Sequence, residues 1–238
     1  SETYWERVIQ RPASLPNAAK LRVAVAQAPW RQTTVSRSDR YLSIGLTNRG
    51  QFDAAYALYK GLGLARERRS DNLLSSEGFA RQPQLPPFDW QLAVSGTLGA
   101  SIDEKDKSLL VSAIGGARGF AARQLVSLSP GNYRLDWSLS ASKPIDPATL
   151  LARVTCAEPG VKAAKAQPIS LAAGKHAVTF AIPEGACRWY WLSIDVVLPD
   201  DSAGIDAYFR NISLAPAAGG EVGLPSAAGG GMTGPDSN

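Results

Sequence analysis

The sequence predicts an α+β chain in two parts: a small N-terminal helical region and a C-terminal antiparallel β-sandwich. Three observations predict it. Apolar residues recur with a helical period over residues 1–81, and beyond residue 88 the period falls to 2. Between them runs Gln82-Pro83-Gln84-Leu85-Pro86-Pro87, too rich in proline to extend either kind of element. The later part then holds about eight strand-like segments separated by Pro/Gly turns, with no long helical pattern among them.

In the helical part, Ser38 or Asp39 is placed to cap a helix running through Tyr41, Leu42, Ile44 and Leu46. Asn48-Arg49-Gly50 ends it. A second helix carries Phe52, Ala55, Leu58, Tyr59 and Leu62 on one stripe. So short a connection makes the two antiparallel neighbours. Tyr4–Gln10 and Ala18–Ala28, bounded by Pro12, Pro16 and Pro29, read as two earlier helices, and Asp71–Gly78 as a later short one.

In the β part, Phe88–Val94 and Ser108–Ile114 read as strands. Phe120–Leu128 and Tyr133–Ser140 read as the arms of a hairpin around Ser129-Pro130-Gly131-Asn132. The return arm alternates Tyr133, Leu135, Trp137 and Leu139 with Arg134, Asp136, Ser138 and Ser140, which places Tyr133 and Trp137 in the core. Ala152–Ala157, Pro168–Leu171, His176–Ile182, Trp189–Leu198 and Ile205–Leu214 complete the set. Residues 217–238 are Ala/Gly/Ser/Pro-rich and cannot build a core, so the composition predicts a disordered tail.

The chain has 238 residues, 45% of them hydrophobic, and no apolar run approaching the ~20 residues that span a bilayer. It opens on Ser1 without a signal-peptide pattern, which predicts a processed or truncated chain and is compatible with a lost leader or anchor. The net charge of +4 gathers on arginines before residue 81, including Arg66, Arg68 and Arg69. A solvated helix surface explains them, with peripheral contact to a membrane surface or polyanion as the alternative. They are not interleaved with aromatics along a strand or helix, which argues against a nucleic-acid partner.

The most informative stretch is Arg188–Leu198. As a strand it presents Tyr190, Leu192, Ile194, Val196 and Leu198 to one side, a core face. The other side carries Trp189, Trp191, Ser193 and Asp195, with Arg188 at its entry. Flat indoles match the C–H faces of sugar rings, and the polar neighbours would read hydroxyls. The competing reading is a docking surface for the helices or for a partner. Cys156 and Cys187 each adjoin a strand in this half, predicting a disulfide ahead of two buried thiols; a disulfide indicates an oxidising compartment.

Other chemistry is weaker. His176 is the sole histidine and shares the apolar parity of Val178, Phe180 and Ile182, so it reads as a packed or strand-end residue rather than a base. There is no Gly-x-Ser-x-Gly to supply a nucleophile. Asp103, Glu104 and Asp106, and again Asp200, Asp201 and Asp206, read as solvated turns. No cofactor is implied, although structural calcium is an alternative use of such oxygen-rich loops. Gly115-Gly116-Ala117-Arg118-Gly119 leads into no helix and reads as a connection rather than a phosphate loop.

Leu42, Leu46, Gly50, Phe52, Ala55, Tyr59 and Leu62 stand at the spacing of a tetratricopeptide hairpin, which this pair resembles. Ser43 departs from the usual small Gly or Ala, and Glu67 from the frequent Pro. One such unit cannot bury its own apolar face, so it must dock on the β region, on upstream residues or on a partner. Phe88-Asp89-Trp90, the Tyr133–Leu139 segment and Ala207–Leu214 resemble a carbohydrate-binding-module jelly roll of the galactose-binding-like group. That family often closes on an Asp-Asp or Asp-Asn pair, where this chain has Arg210-Asn211, so no ligand contact carries over. The combination is similar to uncharacterised bacterial envelope proteins and implies a periplasmic or extracellular setting. The expected role is a non-catalytic module binding glycan or polysaccharide. A scaffold subunit of an envelope assembly is the second reading, and a polysaccharide-active enzyme the third.

Overall fold

The computed structural model describes residues 15–27, 34–65, 72–74, 79–161, 167–185 and 187–217. Among them are three helices: α1 (Leu15–Gln27), α2 (Arg37–Thr47) and α3 (Phe52–Gly61). Ten strands follow: β1 (Gln91–Leu92), β2 (Leu98–Asp103), β3 (Ser108–Ala113), β4 (Arg118–Ser127), β5 (Gly131–Ala141), β6 (Leu150–Cys156), β7 (Ile169–Ser170), β8 (Gly174–Ile182), β9 (Trp189–Val197) and β10 (Ile205–Pro216). Two five-stranded antiparallel sheets result, in the orders β1-β4-β9-β6-β7 and β2-β3-β10-β5-β8. This is the α+β, helices-plus-sandwich architecture that the change of period predicts. The expected segments Tyr4–Gln10 and the tail after residue 217 lie outside the described residues, as does most of Asp71–Gly78.

The cap of α2 is Ser36, neither Ser38 nor Asp39. Ser36 Oγ accepts from the Asp39 amide at 3.1 Å, while the Asp39 carboxylate accepts from the Ser36 amide at 2.9 Å, a reciprocal capping box. Asp39 is the third helical residue, and it also takes Arg22 of α1 in a buried ion pair at 2.8 Å. The connection to α3 turns at Gly50, with φ of +70°, a backbone that residues with a Cβ avoid. The stripe Phe52, Ala55, Leu58, Tyr59 and Leu62 is buried in full.

The turn at Ser129–Asn132 does not make a hairpin. β4 pairs with β1 and β9 in one sheet, and β5 pairs with β10 and β8 in the other. The chain arches from sheet to sheet there, held by the Tyr133 hydroxyl, which accepts from the Ser129 amide and donates to the Ser129 carbonyl. A Pro-Gly turn reverses the chain equally well within a sheet or across a sandwich, and both arms have an apolar face to bury. The local hairpin is instead β2–β3, paired from Leu98↔Ala113 to Asp103↔Ser108. Of Phe88–Val94 only Gln91–Leu92 is strand, with Val94 in an isolated bridge to Gly99.

Two apolar cores form. The larger lies between the sheets, with Leu109, Leu135, Leu150, Leu192, Ile194, Val196 and Phe209 wholly inaccessible. The smaller lies between the helices and the outer face of the β1-β4-β9-β6-β7 sheet. It joins Leu42, Leu46, Phe52, Leu58 and Tyr59 to Leu85, Phe88, Leu125 and Trp189. The hairpin that cannot bury itself therefore docks on the chain's own sheet. Within the described residues no helix is long and apolar enough to cross a membrane.

Candidate functional site

Side chains of β9 alternate as the sequence dictates. Tyr190, Leu192, Ile194 and Val196 point into the sandwich, and Trp189, Trp191, Ser193 and Asp195 point out. The two tryptophans then part company. Trp189 is only 3% exposed. Its ring lies 6.2 Å from Phe52, 5.4 Å from Tyr56 and 5.7 Å from Phe88, and its indole nitrogen donates to Asp53 at 3.3 Å. It is the anchor on which α3 sits, so it offers no face to a sugar. Arg188 stands at the same seam, 3.1 Å from Asp53 in an exposed ion pair. The carboxylate of Glu158 accepts from the backbone amides of Arg188 and Trp189.

One step further along β9, the helical cover thins. Trp191 is partly buried and packs against the edge of the helical core. Its ring carries the guanidinium of Arg123, whose central carbon lies 4.2 Å from the ring centroid. The same carbon lies 4.2 Å from the Phe120 ring. Phe120, Arg123 and Trp191 thus form a ring–cation–ring ladder. Neighbouring registers make this possible: Trp191 lies opposite Leu125 and Thr155, Ser193 opposite Arg123 and Arg153, and Asp195 opposite Phe120 and Leu151. A β-bulge between Phe120 and Ala122 keeps Phe120 outward while Ala122 turns into the core.

Polar groups complete the face. Arg123 Nε donates to Gln91 of β1 at 2.9 Å. Asp195 pairs with Arg153 of β6 at 2.8 Å. Burial pushes the Arg123 guanidinium below its ordinary pKa, and the nearby Asp195 charge pulls it partly back. Beneath, burial pushes the Tyr190 hydroxyl above its ordinary pKa, and the charge of Glu158 adds to the rise. The Cys156–Cys187 disulfide, with its Cα atoms 5.7 Å apart, fastens the end of β6 to the entry of β9.

Of the five residues expected to form one surface, Trp191 and Asp195 are partly exposed on this face, and Ser193 lies between them, only 8% exposed. Trp189 and Arg188 belong to the helix seam. The site gains Phe120, Arg123, Arg153 and Gln91 from strands β4, β6 and β1. An arginine inside each strand-like run, Arg123 in Phe120–Leu128 and Arg153 in Ala152–Ala157, is the signal that could have found them; only the sheet order brings them to Trp191.

His176 is exposed at the start of β8. Its ring stacks 5.5 Å from Trp137, and its Nε2 lies 2.8 Å from the Ala173 carbonyl. Trp137 and Tyr133 are buried core residues, as expected. Asp206 lies in β10 rather than in a turn, and its carboxylate accepts from the Ser112 hydroxyl. Among the described residues no group of three or more His, Cys, Asp or Glu is disposed to hold a metal ion.

No family model matches this chain, and no curated protein does. Solved structures similar to it include one described as a CBM4 structure, 17% identical over 51% of this chain and 76% of that one, with a TM-score of 0.37. TmCBM61 in complex with β-1,4-galactotriose is 12% identical, over 62% of this chain and 100% of that one, with a TM-score of 0.42. The N-terminal cellulose-binding domain of a Cellulomonas fimi β-1,4-glucanase is 14% identical, over 56% and 91% of the two chains, with a TM-score of 0.37.

Proposed function

We propose that this protein is a non-catalytic, extracytoplasmic glycan-binding module whose binding face is the uncovered outer half of the β1-β4-β9-β6-β7 sheet. The observation that carries the reading is the ladder Phe120–Arg123–Trp191, set beside Asp195 and Arg153. Sugar recognition needs partly exposed aromatic surface for C–H faces and fixed polar groups for hydroxyls, with both held rigidly so that little entropy is lost on binding. A sheet locked by a disulfide and by an Arg153–Asp195 pair supplies that rigidity. The disulfide also favours an oxidising setting such as a periplasm or cell exterior.

The scaffold reading draws its strength from a helical hairpin in need of a surface. Trp189, Leu125 and Phe88 provide that surface within the chain, which removes its main premise.

The two tryptophans are separable by experiment. Trp191→Ala should cost about 1–2 kcal/mol of stability, because that ring is only partly buried. It should abolish retardation in polysaccharide affinity gels. Trp189→Ala should cost about 3–5 kcal/mol, as for a buried core aromatic. A folded Trp191→Ala protein that still binds its polysaccharide as tightly as the parent refutes the site.

A further inference from the structure

We propose that the glycan taken by this face is anionic, a polymer of uronic acid residues whose carboxylate is received by Arg123. The inference rests on the reading of the face as a glycan site and names its ligand class.

Charge is the first reason. Among the described residues whose side chains point outward from this sheet, Arg118, Arg123 and Arg153 are cationic and Asp195 alone is anionic, leaving three minus one, or +2. Asp195 is already engaged by Arg153 at 2.8 Å. Among the described residues Arg123 has no carboxylate within ion-pair distance, and its only hydrogen bond is from Nε to Gln91.

Geometry is the second. A guanidinium is a flat fork whose N–H groups all lie in its plane. The rings of Phe120 and Trp191 each lie 4.2 Å from its central carbon, and Gln91 occupies Nε. What remains is the edge bearing the two terminal amino groups, the edge that binds a carboxylate with two parallel hydrogen bonds. The rings also hold that edge in one orientation, so little freedom is lost when the bond forms. Burial disfavours the charge on Arg123, and Asp195 offsets this only in part. An arriving carboxylate would complete the compensation.

The test is calorimetric titration of the full chain at about 0.15 M salt, where loose surface attraction is screened. The probes are oligosaccharides of polygalacturonate, alginate and hyaluronate, each with free and with methyl-esterified carboxyls, beside neutral xylan and cellulose oligosaccharides. The expected result is that at least one acid form binds about tenfold or more tightly than its ester. Arg123→Lys keeps the charge but loses the planar fork. It should weaken the acid form about tenfold more than it weakens the ester. Thr155→Glu places a carboxylate at an exposed position opposite Trp191 and should weaken the acid form alone, several-fold at about a Debye length or less. That second variant keeps the test decisive should Arg123→Lys perturb folding.

Equal affinity for acid and ester, with both lost in Trp191→Ala, would overturn the anionic assignment while the glycan site stood. Preference for acid that is indifferent to both substitutions would overturn it as diffuse attraction. No Trp191-dependent binding to any probe would overturn the assignment and the site together.

Discussion

Phe88-Asp89-Trp90 shows how three successive residues join two layers. Phe88 packs among Tyr56, Tyr59 and Trp189 in the helical core. Trp90 turns the opposite way into the sandwich, 6.2 Å from Phe79. Asp89 between them is 6% exposed, yet it is satisfied on all sides. One carboxylate oxygen accepts from the Gln84 and Leu85 amides at 2.9 Å each, and the other from the Tyr59 hydroxyl at 3.1 Å. Asp89→Asn would turn an amide group toward one of these donors and remove the charge. Hydrogen bonds to charged groups contribute about 1.5–3 kcal/mol each, so the loss should be about 2–3 kcal/mol in a urea titration. Tyr59→Phe should cost about 1 kcal/mol, and much less in the Asp89→Asn background, because the two share one bond. The alternation in β9 was legible residue by residue. The unequal fates of Trp189 and Trp191 were not, since alternation gives a side chain's face and says nothing of what lies above it.

At the scale of elements, strand positions follow from local pattern and strand partners do not. Ser108–Ala113, Leu150–Cys156, Gly174–Ile182, Trp189–Val197 and Ile205–Pro216 fall within a few residues of the segments read from periodicity. The β4–β5 turn reads locally as a hairpin but is an arch between sheets, because both β4 and β5 need an apolar partner surface, which either sheet can supply. β2 was missed because Leu98-Gly99-Ala100-Ser101-Ile102 has small residues where a strand usually shows branched ones, and it is held chiefly by pairing to β3. The disulfide acts at this scale too. It ties β6 to β9 across a separation of 31 residues. Changing both Cys156 and Cys187 to Ser should lower stability by about 3–4 kcal/mol through the freed loop of the unfolded chain. The strand pairing Cys156↔Tyr190 would be the first to lose hydrogen-exchange protection.

For the molecule as a whole, the helices and the sandwich share one apolar seam. Pro86 and Pro87 are not a free spacer within it. The Pro86 carbonyl accepts from Ser43 of α2, and the Pro87 carbonyl accepts from the Leu125 amide of β4. Arg40 of α2 likewise donates to the Gln84 carbonyl. Expressing residues 72–217 alone, which keeps Phe79 against Trp90, should therefore expose Leu85, Phe88, Leu125 and Trp189 as one patch. The fragment should aggregate or bind a hydrophobic dye at neutral pH, and the full chain should do neither. A soluble, dye-silent fragment with the parent's melting temperature would show that the seam contributes nothing to the sandwich.

The sequence by itself determined the two-part α+β architecture, the stripe of α3 and the inner face of β9. These depend on the spacing of apolar residues and on chain reversal, both written in neighbouring positions. Only the tertiary structure decided which tryptophan is covered, which arch joins which sheet, and that Arg123 stands between Phe120 and Trp191. Those outcomes depend on contacts between strands far apart in the chain, where many partners satisfy the same local pattern and the packing of the whole selects one.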